Sequence, residues 1–406
     1  MSLTGKNDSP LLLPVTGFRL GTTCASIKKT DRRDLVVMEM EEGSQVAAVF
    51  TRNAFCAAPV TIARQHLLQN SPRYLLVNTG NANAGTGAQG INDALACCEA
   101  LAVVAGCSLQ AVLPFSTGVI GEALQVQKIC EGIPDAFSRL SEGGWQDASY
   151  GILTTDTVPK GVSRQFEING QRLTITGIAK GSGMIRPDMA TMLAYIATDA
   201  QVDGKDLQTC LNTAVEGSFN RITVDGDTST NDACLLVATG QSGLHINQAD
   251  KANYDAFTDV VKEVCEELAL AVVRDGEGAT KLVTILVEGG GNEAECLQVA
   301  YTVAHSPLVK TAFFASDPNW GRILAAVGRA GLKDLDLDGV QIFLDDVCIV
   351  SQGGRDAAYR EEMGQAVMNS SEVTVRIFLG RGKSSTRVWT CDLSYDYVGI
   401  NAEYRT

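Results

Sequence analysis

The sequence predicts a mixed α/β fold. Short apolar strands and amphipathic helices interleave along the whole chain, one stretch alternates cleanly about an Asn-Gly turn, and the composition suits a packed interior. Of the 406 residues, 45% are hydrophobic and 20% charged, which is enough to bury a large core. Length alone suggests two or three domains, yet no internal repeat, low-complexity segment or long linker divides the chain. In order, 46–50 and 74–77 read as buried strands, and 92–105 as a helix opened by an asparagine cap candidate, Asn92. Phe166 and Ile168 precede Asn169-Gly170, and Leu173 and Ile175 follow it, so 164–176 reads as a hairpin with a two-residue turn. Helices are expected over 206–218 and 254–273. Residues 373–379 and 387–393 read as a further strand pair around Gly380-Arg-Gly-Lys383.

Charge and composition exclude several function classes. The net charge is −14, and all of it falls after residue 190. Residues 1–190 hold 16 basic and 16 acidic side chains, and 191–406 hold 17 and 31. An acidic surface aids solubility and argues against nucleic acid as a partner, since phosphate binding needs a basic face. No apolar run reaches the length of a membrane span, and Leu11-Leu-Leu-Pro14 is too short for a signal peptide's apolar region. Twelve cysteines lie scattered without C-x-x-C spacing, which points to the cytoplasm rather than to a disulfide framework or zinc site. Only three histidines occur, His66, His245 and His305, none in metal-ligand spacing. No serine sits in G-x-S-x-G. A Ser-His-Asp hydrolase or a zinc enzyme has little to work with.

The most informative segment is Lys180-Gly-Ser-Gly-Met-Ile-Arg-Pro-Asp-Met-Ala-Thr191, followed by an apolar run. Gly181 and Gly183 allow backbone angles that other residues avoid, and Pro187 restricts Arg186 before it. A threonine hydroxyl is a weak nucleophile unless a base takes its proton, and a threonine at a chain N-terminus can use its own α-amine. That amine titrates near about 7.7–8.0, close to neutral pH. Thr191 becomes a terminus only if the Ala190–Thr191 bond breaks. Residue types alone also fit an ordinary strand-entry threonine. Thr117-Gly118 sits in a short polar turn between apolar pairs, where a hydroxyl and an amide can aim at one oxygen. Lys180 could meet a substrate carboxylate, Glu277 a substrate ammonium, and Thr154 could donate a hydrogen bond.

The stretch 180–199 resembles the processing and nucleophile motif of the glutamate N-acetyltransferase family, also called ornithine acetyltransferase, of arginine biosynthesis. Asn78-Thr-Gly-Asn-Ala-Asn-Ala84, Ser116-Thr-Gly-Val-Ile-Gly-Glu122, the run Asn220 to Asp232, Asp317-Pro-Asn-Trp-Gly-Arg322 and Asn401-Ala-Glu-Tyr-Arg-Thr406 resemble it too, in register. The resemblance implies a layered αββα-type sandwich and a self-processed N-terminal-threonine acyltransferase. The chain would cut itself at Ala190–Thr191 into a light fragment, 1–190, and a heavy fragment, 191–406, which share one core and assemble as two light and two heavy fragments.

The resemblance also implies the reaction. Thr191 would take the acetyl group of N-acetyl-L-ornithine, release ornithine, and pass the acetyl group to glutamate, with no metal and no held cofactor. Acetyl-CoA is admitted as a second donor. Thr117 and Gly118 match the family's oxyanion hole. Thr154, Lys180, Thr191, Glu277, Asn401 and Thr406 match its substrate contacts, with Thr155 and Thr157 open as alternatives to the first. Asn401 and Thr406 would require the C-terminal tail to fold back. Residues 220–232 read as a hydrogen-bonded loop rather than a cation site, because the EF-hand spacing is missing. Arg322 is open between a carboxylate contact and a structural ion pair. The alternative reading is a self-processed aminopeptidase or amidase that uses the same threonine with water as acceptor.

Overall fold

The computed structural model describes Leu3, residues 11–186 and residues 192–403. The expected cleavage junction, Ala190 and Thr191, and the terminal Thr406 therefore lie outside the described residues. Two compact units form. The first takes the described parts of Asn7–Asn220 and Asp227–Val272, the second those of Arg221–Gly226 and Val273–Thr406.

The first unit holds β1 (Phe18–Thr23), β2 (Leu35–Met40), β3 (Gln45–Phe50), β4 (Tyr74–Asn81), β5 (Val112–Val119), β6 (Lys160–Ile168), β7 (Gln171–Lys180), β8 (Leu193–Thr198), β9 (Gln201–Val202), β10 (Ala233–Ala238) and β11 (His245–Ile246). Its helices are α1 (Ala58–Gln69), α2 (Gly87–Ala105), α3 (Val126–Ser138), α4 (Trp145–Gly151), α5 (Gly204–Gly217) and α6 (Lys251–Arg274). One sheet runs β1-β2-β4-β5 and another β3-β10-β8-β7-β6. The second sheet draws β3, β6 and β7 from before residue 190, and β8 and β10 from after it.

The two sheets pack face to face. Val36, Met38, Leu75, Val77, Leu113 and Phe115 of one share a core with Ile178, Leu193, Tyr195 and Leu235 of the other, and Phe115 meets Tyr195 edge to face at 5.5 Å. Burying each such aliphatic or aromatic side chain contributes about 1.5–3 kcal/mol. The opposite faces carry helices. Leu35, Val37, Leu76 and Val112 pack with Cys97, Cys98 and Leu101 of α2 and Ile129 and Ile133 of α3. On the other side Gly177 of β7 lets Val264 and Leu268 of α6 come close, since a Cβ there would meet their methyls at 3.5 and 3.1 Å. The side chain of Gln208 on α5 bonds both backbone groups of Ala48 on the edge strand β3. The layers run helix, sheet, sheet, helix, as the resemblance implied.

The second unit contains β12 (Leu282–Gly290), β13 (Gln341–Leu344), β14 (Val347–Ser351), β15 (Gly354–Arg355), β16 (Glu372–Phe378) and β17 (Ser384–Cys391), with α7 (Glu293–Ala304), α8 (Pro307–Phe314), α9 (Trp320–Gly328), α10 (Glu361–Met368) and α11 (Tyr395–Ala402). Its sheet runs β15-β14-β13-β16-β12-β17, and α7, α8 and α9 share its core.

The hairpin forms around Asn169-Gly170, both at positive φ (52° and 75°), as a type I′ turn needs. It is longer than expected, Lys160–Ile168 paired with Gln171–Lys180, and so carries Lys180 at its end. Three expectations change. The helix expected from Asn92 starts at Gly87. The helix α2 is also long and apolar enough to cross a membrane by length and composition. Here it lays Ala94, Cys97, Cys98, Leu101 and Ala102 into the interior. Finally, β16 and β17 are not partners: β12 lies between them, parallel to β16 and antiparallel to β17.

Candidate active site

The motifs of the first unit converge on the ends of β4 and β5. Thr79 stands opposite Thr117 and Gly80 opposite Gly118 in a parallel ladder that bulges at Asn81. Gly118 has φ +137°, and a Cβ there would lie 2.3 Å from the backbone carbon of Gly80. Only glycine lets the two strands approach so closely. Hydrogen bonds lock the end in place. Ser116 Oγ donates to Asn78 Oδ1 at 2.5 Å, and Asn78 Nδ2 to Asn81 O at 2.9 Å. Asn231 Nδ2 donates to Ser116 O at 2.9 Å and to Ala82 O at 2.6 Å. Residues 78–84, 116–122 and the last part of 220–232 thus form one polar scaffold.

Lys180, at the end of β7, donates from Nζ to Thr117 Oγ1 at 3.0 Å. An ammonium only donates, whereas a hydroxyl both donates and accepts. The Thr117 oxygen therefore accepts from Lys180, and its own proton is left to point at a second acceptor. The adjoining charge makes that proton a better donor.

Asp156 sets the position of this lysine, and sequence reasoning missed it. Its side chain is fully buried and paired with Lys160 Nζ at 2.6 Å, itself 1% exposed. It also accepts from Gly181 N at 2.6 Å, from Thr154 N at 3.0 Å and from Thr154 Oγ1 at 3.4 Å. Burial works against its charge, but Lys160 and Lys180 outweigh that and hold the carboxyl well below the usual range. Thr155 Oγ lies 2.8 Å from Ser182 Oγ, so Thr154 and Thr155 both face the Lys180 loop. Arg32 holds the carbonyls of Leu153 and Thr154. The only sequence signal for Asp156 was its place in the same Thr-Thr-Asp-Thr run.

The remaining sequence candidates lie in the second unit. Glu277 is buried, at 7% exposure, and accepts from Asn401 Nδ2 at 2.7 Å. The C-terminal helix α11 does fold back onto the Glu277 turn. Gly278 has φ +70°, and a Cβ there would meet Ser394 Oγ at 2.4 Å. The structure thus brings Thr117, Gly118, Lys180 and Thr154 together in one unit, and Glu277 with Asn401 in the other.

Arg322 forms no ion pair among the described residues. It donates to Leu308 O at 2.8 Å and Thr311 Oγ1 at 3.3 Å. Its motif starts a helix: Asn319 caps α9 by accepting from Arg322 N. The histidines are engaged elsewhere. His66 contacts Val112 O, His245 contacts Asp203, and His305, between α7 and α8, contacts Thr223.

Replacing Gly118 by alanine tests the strand ends. The clash with Gly80 forces β4 and β5 apart and moves the Gly118 amide. Gly118→Ala should therefore lower the melting temperature, read by thermal unfolding against wild type.

The ArgJ family model matches residues 19–406. The arginine biosynthesis bifunctional protein ArgJ of Pseudomonas syringae pv. tomato is 59% identical over 99% of both chains. That of Methylococcus capsulatus is 59% identical over 97% of both. Among solved structures, the arginine biosynthesis bifunctional protein ArgJ of Bacillus halodurans is 37% identical, covering 50% of this chain and 95% of its own, with a TM-score of 0.48. The ornithine acetyltransferase of Mycobacterium tuberculosis, complexed with ornithine, is 33% identical, covering 44% of this chain and 94% of its own, with a TM-score of 0.38.

Proposed function

The chain belongs to the ArgJ family and is an acetyltransferase of arginine biosynthesis; from that premise we propose that Thr191 is its self-released nucleophile and that Thr117, Gly118 and Lys180 serve it. The observation that carries this reading is the 3.0 Å contact between Lys180 Nζ and Thr117 Oγ1, side chains 63 positions apart that belong to two separate sequence motifs.

In the first half-reaction the Thr191 hydroxyl oxygen bonds the acetyl carbon of N-acetyl-L-ornithine, and its proton passes to the Thr191 α-amine. The carbonyl oxygen becomes an oxyanion that takes hydrogen bonds from Thr117 Oγ–H and Gly118 N–H. Donors placed where charge develops are usually the largest catalytic contribution. Ornithine leaves with the proton, and an acetyl ester remains on Thr191. The glutamate amine then attacks that ester, and the same donors serve the second oxyanion. Two half-reactions on one nucleophile give ping-pong kinetics.

Lys180 and Thr154 would receive the substrate's α-carboxylate, and Glu277 its side-chain ammonium, with Asn401 orienting Glu277. Thr406 completes the contacts. Relatives at 59% identity are named bifunctional, and on that ground acetyl-CoA is the proposed second donor. Neither reaction calls for a metal or a held cofactor.

Fragments 1–190 and 191–406 would stay together after the cut, as two light and two heavy fragments. The support is that one sheet takes strands from both sides of residue 190. Twelve free cysteines suit the reducing cytoplasm.

The test is intact mass under denaturing conditions, with N-terminal sequencing. Two species of 190 and 216 residues, the larger starting at Thr191, are expected. A single uncut mass in active enzyme sinks the mechanism. Free acetate released from acetylornithine without glutamate would favour the hydrolase reading instead.

A further inference from the structure

The loop between β1 and β2 runs against the charge of the chain. Residues 28–33 read Lys-Lys-Thr-Asp-Arg-Arg, four cations and one acid, in a protein of net charge −14. Asp34, 2% exposed, pins the loop by accepting from Ala25 N and Ile27 N, both at 2.6 Å. Its own carbonyl takes the Thr79 amide at 2.9 Å. Lys128 of α3 brings another cation to the loop by donating to Ser26 O at 2.6 Å. Lys28 and Lys29 are exposed, and neither forms an ion pair among the described residues.

One limb of this loop lies against the strand ends of the candidate site. A Cβ on Gly80 would meet Lys28 Cβ at 3.0 Å, and Gly80 stands opposite Gly118. The other limb lines a cavity of about 530 Å³, where Arg32 and Arg33 meet Arg139, Tyr150, Asp31 and Asp156. Arg32 holds the carbonyls of Leu153 and Thr154, so the cavity wall is continuous with the turn that carries Thr154. Arg33 and Arg139 are paired with exposed acids, Asp147 at 3.0 Å and Asp135 at 3.1 Å. Such solvated pairs contribute little and exchange for a phosphate, which a guanidinium binds bidentately. The strand register sets the distance. Thr23, Leu35, Asn78 and Ser116 face one another across β1, β2, β4 and β5. The cavity end of β1 and the Ser116–Gly118 end of β5 are therefore three strand spacings apart, roughly 14 Å.

The amino-acid substrates do not call for so many cations. In the proposed reaction Lys180 and Thr154 already answer an α-carboxylate. A CoA thioester is different: it carries a diphosphate and a ribose phosphate, set apart from the acyl group by a long pantetheine arm. We propose that the β1–β2 loop and the adjoining cavity hold the phosphates of acetyl-CoA, with the arm crossing the ends of β2 and β4 to bring the thioester to Thr117 and Gly118. This rests on the reading of acetyl-CoA as the second donor. A polyanionic donor is repelled by an acidic surface, and a local cluster of cations at the mouth of the site reverses that repulsion where the donor must enter.

The experiment compares two donors, acetyl-CoA and acetylornithine, with glutamate as acceptor, in wild type, Lys29→Glu and Arg33→Glu. Both side chains are exposed, so thermal unfolding should match wild type. KM for acetyl-CoA should rise by about ten- to a hundredfold in each variant, the weight of one charge-assisted bond. KM and kcat with acetylornithine should stay at wild-type values. Calorimetric titration with CoA, which involves no turnover, should show Kd rising in the same proportion, and the wild-type affinity should weaken as salt is added. S-acetylpantetheine keeps the thioester and the arm but lacks the diphosphate and the ribose phosphate. Wild type should use it poorly, and neither substitution should change its KM. An unchanged KM for acetyl-CoA overturns the proposal, as does an equal loss with acetylornithine, which would mark the loop as structural. A wild type that transfers from acetylornithine yet neither uses acetyl-CoA nor binds CoA refutes the second-donor reading, and this site with it.

Discussion

Replacing Asp156 by asparagine should destabilise the protein by about 3–5 kcal/mol, the usual cost of leaving one member of a buried ion pair uncompensated. Lys160 Nζ is 1% exposed and 2.6 Å from the carboxylate, so in the variant its ammonium has lost both water and counter-charge. Denaturant unfolding gives the magnitude. The second change Lys160→Met should recover most of the loss, because a buried pair replaced by apolar groups of similar volume is often neutral. The pH dependence gives an independent check. The folded-state carboxyl is held below its ordinary 3.8, so its contribution to stability is present above pH 3.8 and is lost as pH falls through the depressed value. Wild type should therefore lose stability steeply below about pH 4, and the variant should lack that part of the acid transition. Transfer should fall in both variants, because Asp156 also fixes the Thr154 and Gly181 amides beside Lys180. Full recovery of stability without recovery of activity is the pattern expected of a residue that positions the site.

How far the sequence revealed this arrangement follows from the range of the forces involved. The β6–β7 hairpin was legible because alternation and an Asn-Gly turn are local signals, and both act within a few residues. The pairing of β16 with β17 was misread for the same reason. Two apolar runs around Gly380 and Gly382 look like a hairpin, and nothing local reveals that β12, some ninety positions earlier, takes the slot between them. Motif resemblance placed Thr117 and Lys180 in one site, and they do touch. Asp156 gave no such signal. A buried carboxylate is identified by its partners, and although Lys160 lies only four positions away, Lys180 and Gly181 reach Asp156 only after β6 and β7 have paired. The fold class, the tail folding back to Glu277 and the strand-end glycine were thus within reach of the sequence, while the electrostatic supports of the site were not.

Thr191→Ala should abolish two activities at once. The chain should remain a single 406-residue species, and acetyl transfer should fall by a factor on the order of a million, as when a hydrolase loses its nucleophile. Thr191→Ser keeps a hydroxyl and should retain part of both. On the proposed reading one residue carries both losses because its hydroxyl would act twice, first on the Ala190 carbonyl and then on the acetyl group, whereas its amine would exist only after the first event. The two roles separate if the fragments are made apart. Co-expression of 1–190 with 191–406, the latter starting at Thr191 after removal of the initiator methionine, supplies the amine without a cut. That pair should transfer acetyl groups normally and form an acetylated heavy fragment, about 42 Da heavier by mass, when given acetylornithine without glutamate. The same pair starting with alanine should do neither. In the separated fragments Gly118→Ala should still be slow, since on the proposed reading the oxyanion forms in both reactions. An active alanine-started pair would mean that the acetyl group never rests on Thr191, and transfer would then have to pass directly from acetylornithine to glutamate in a ternary complex, with intersecting rather than parallel kinetic lines.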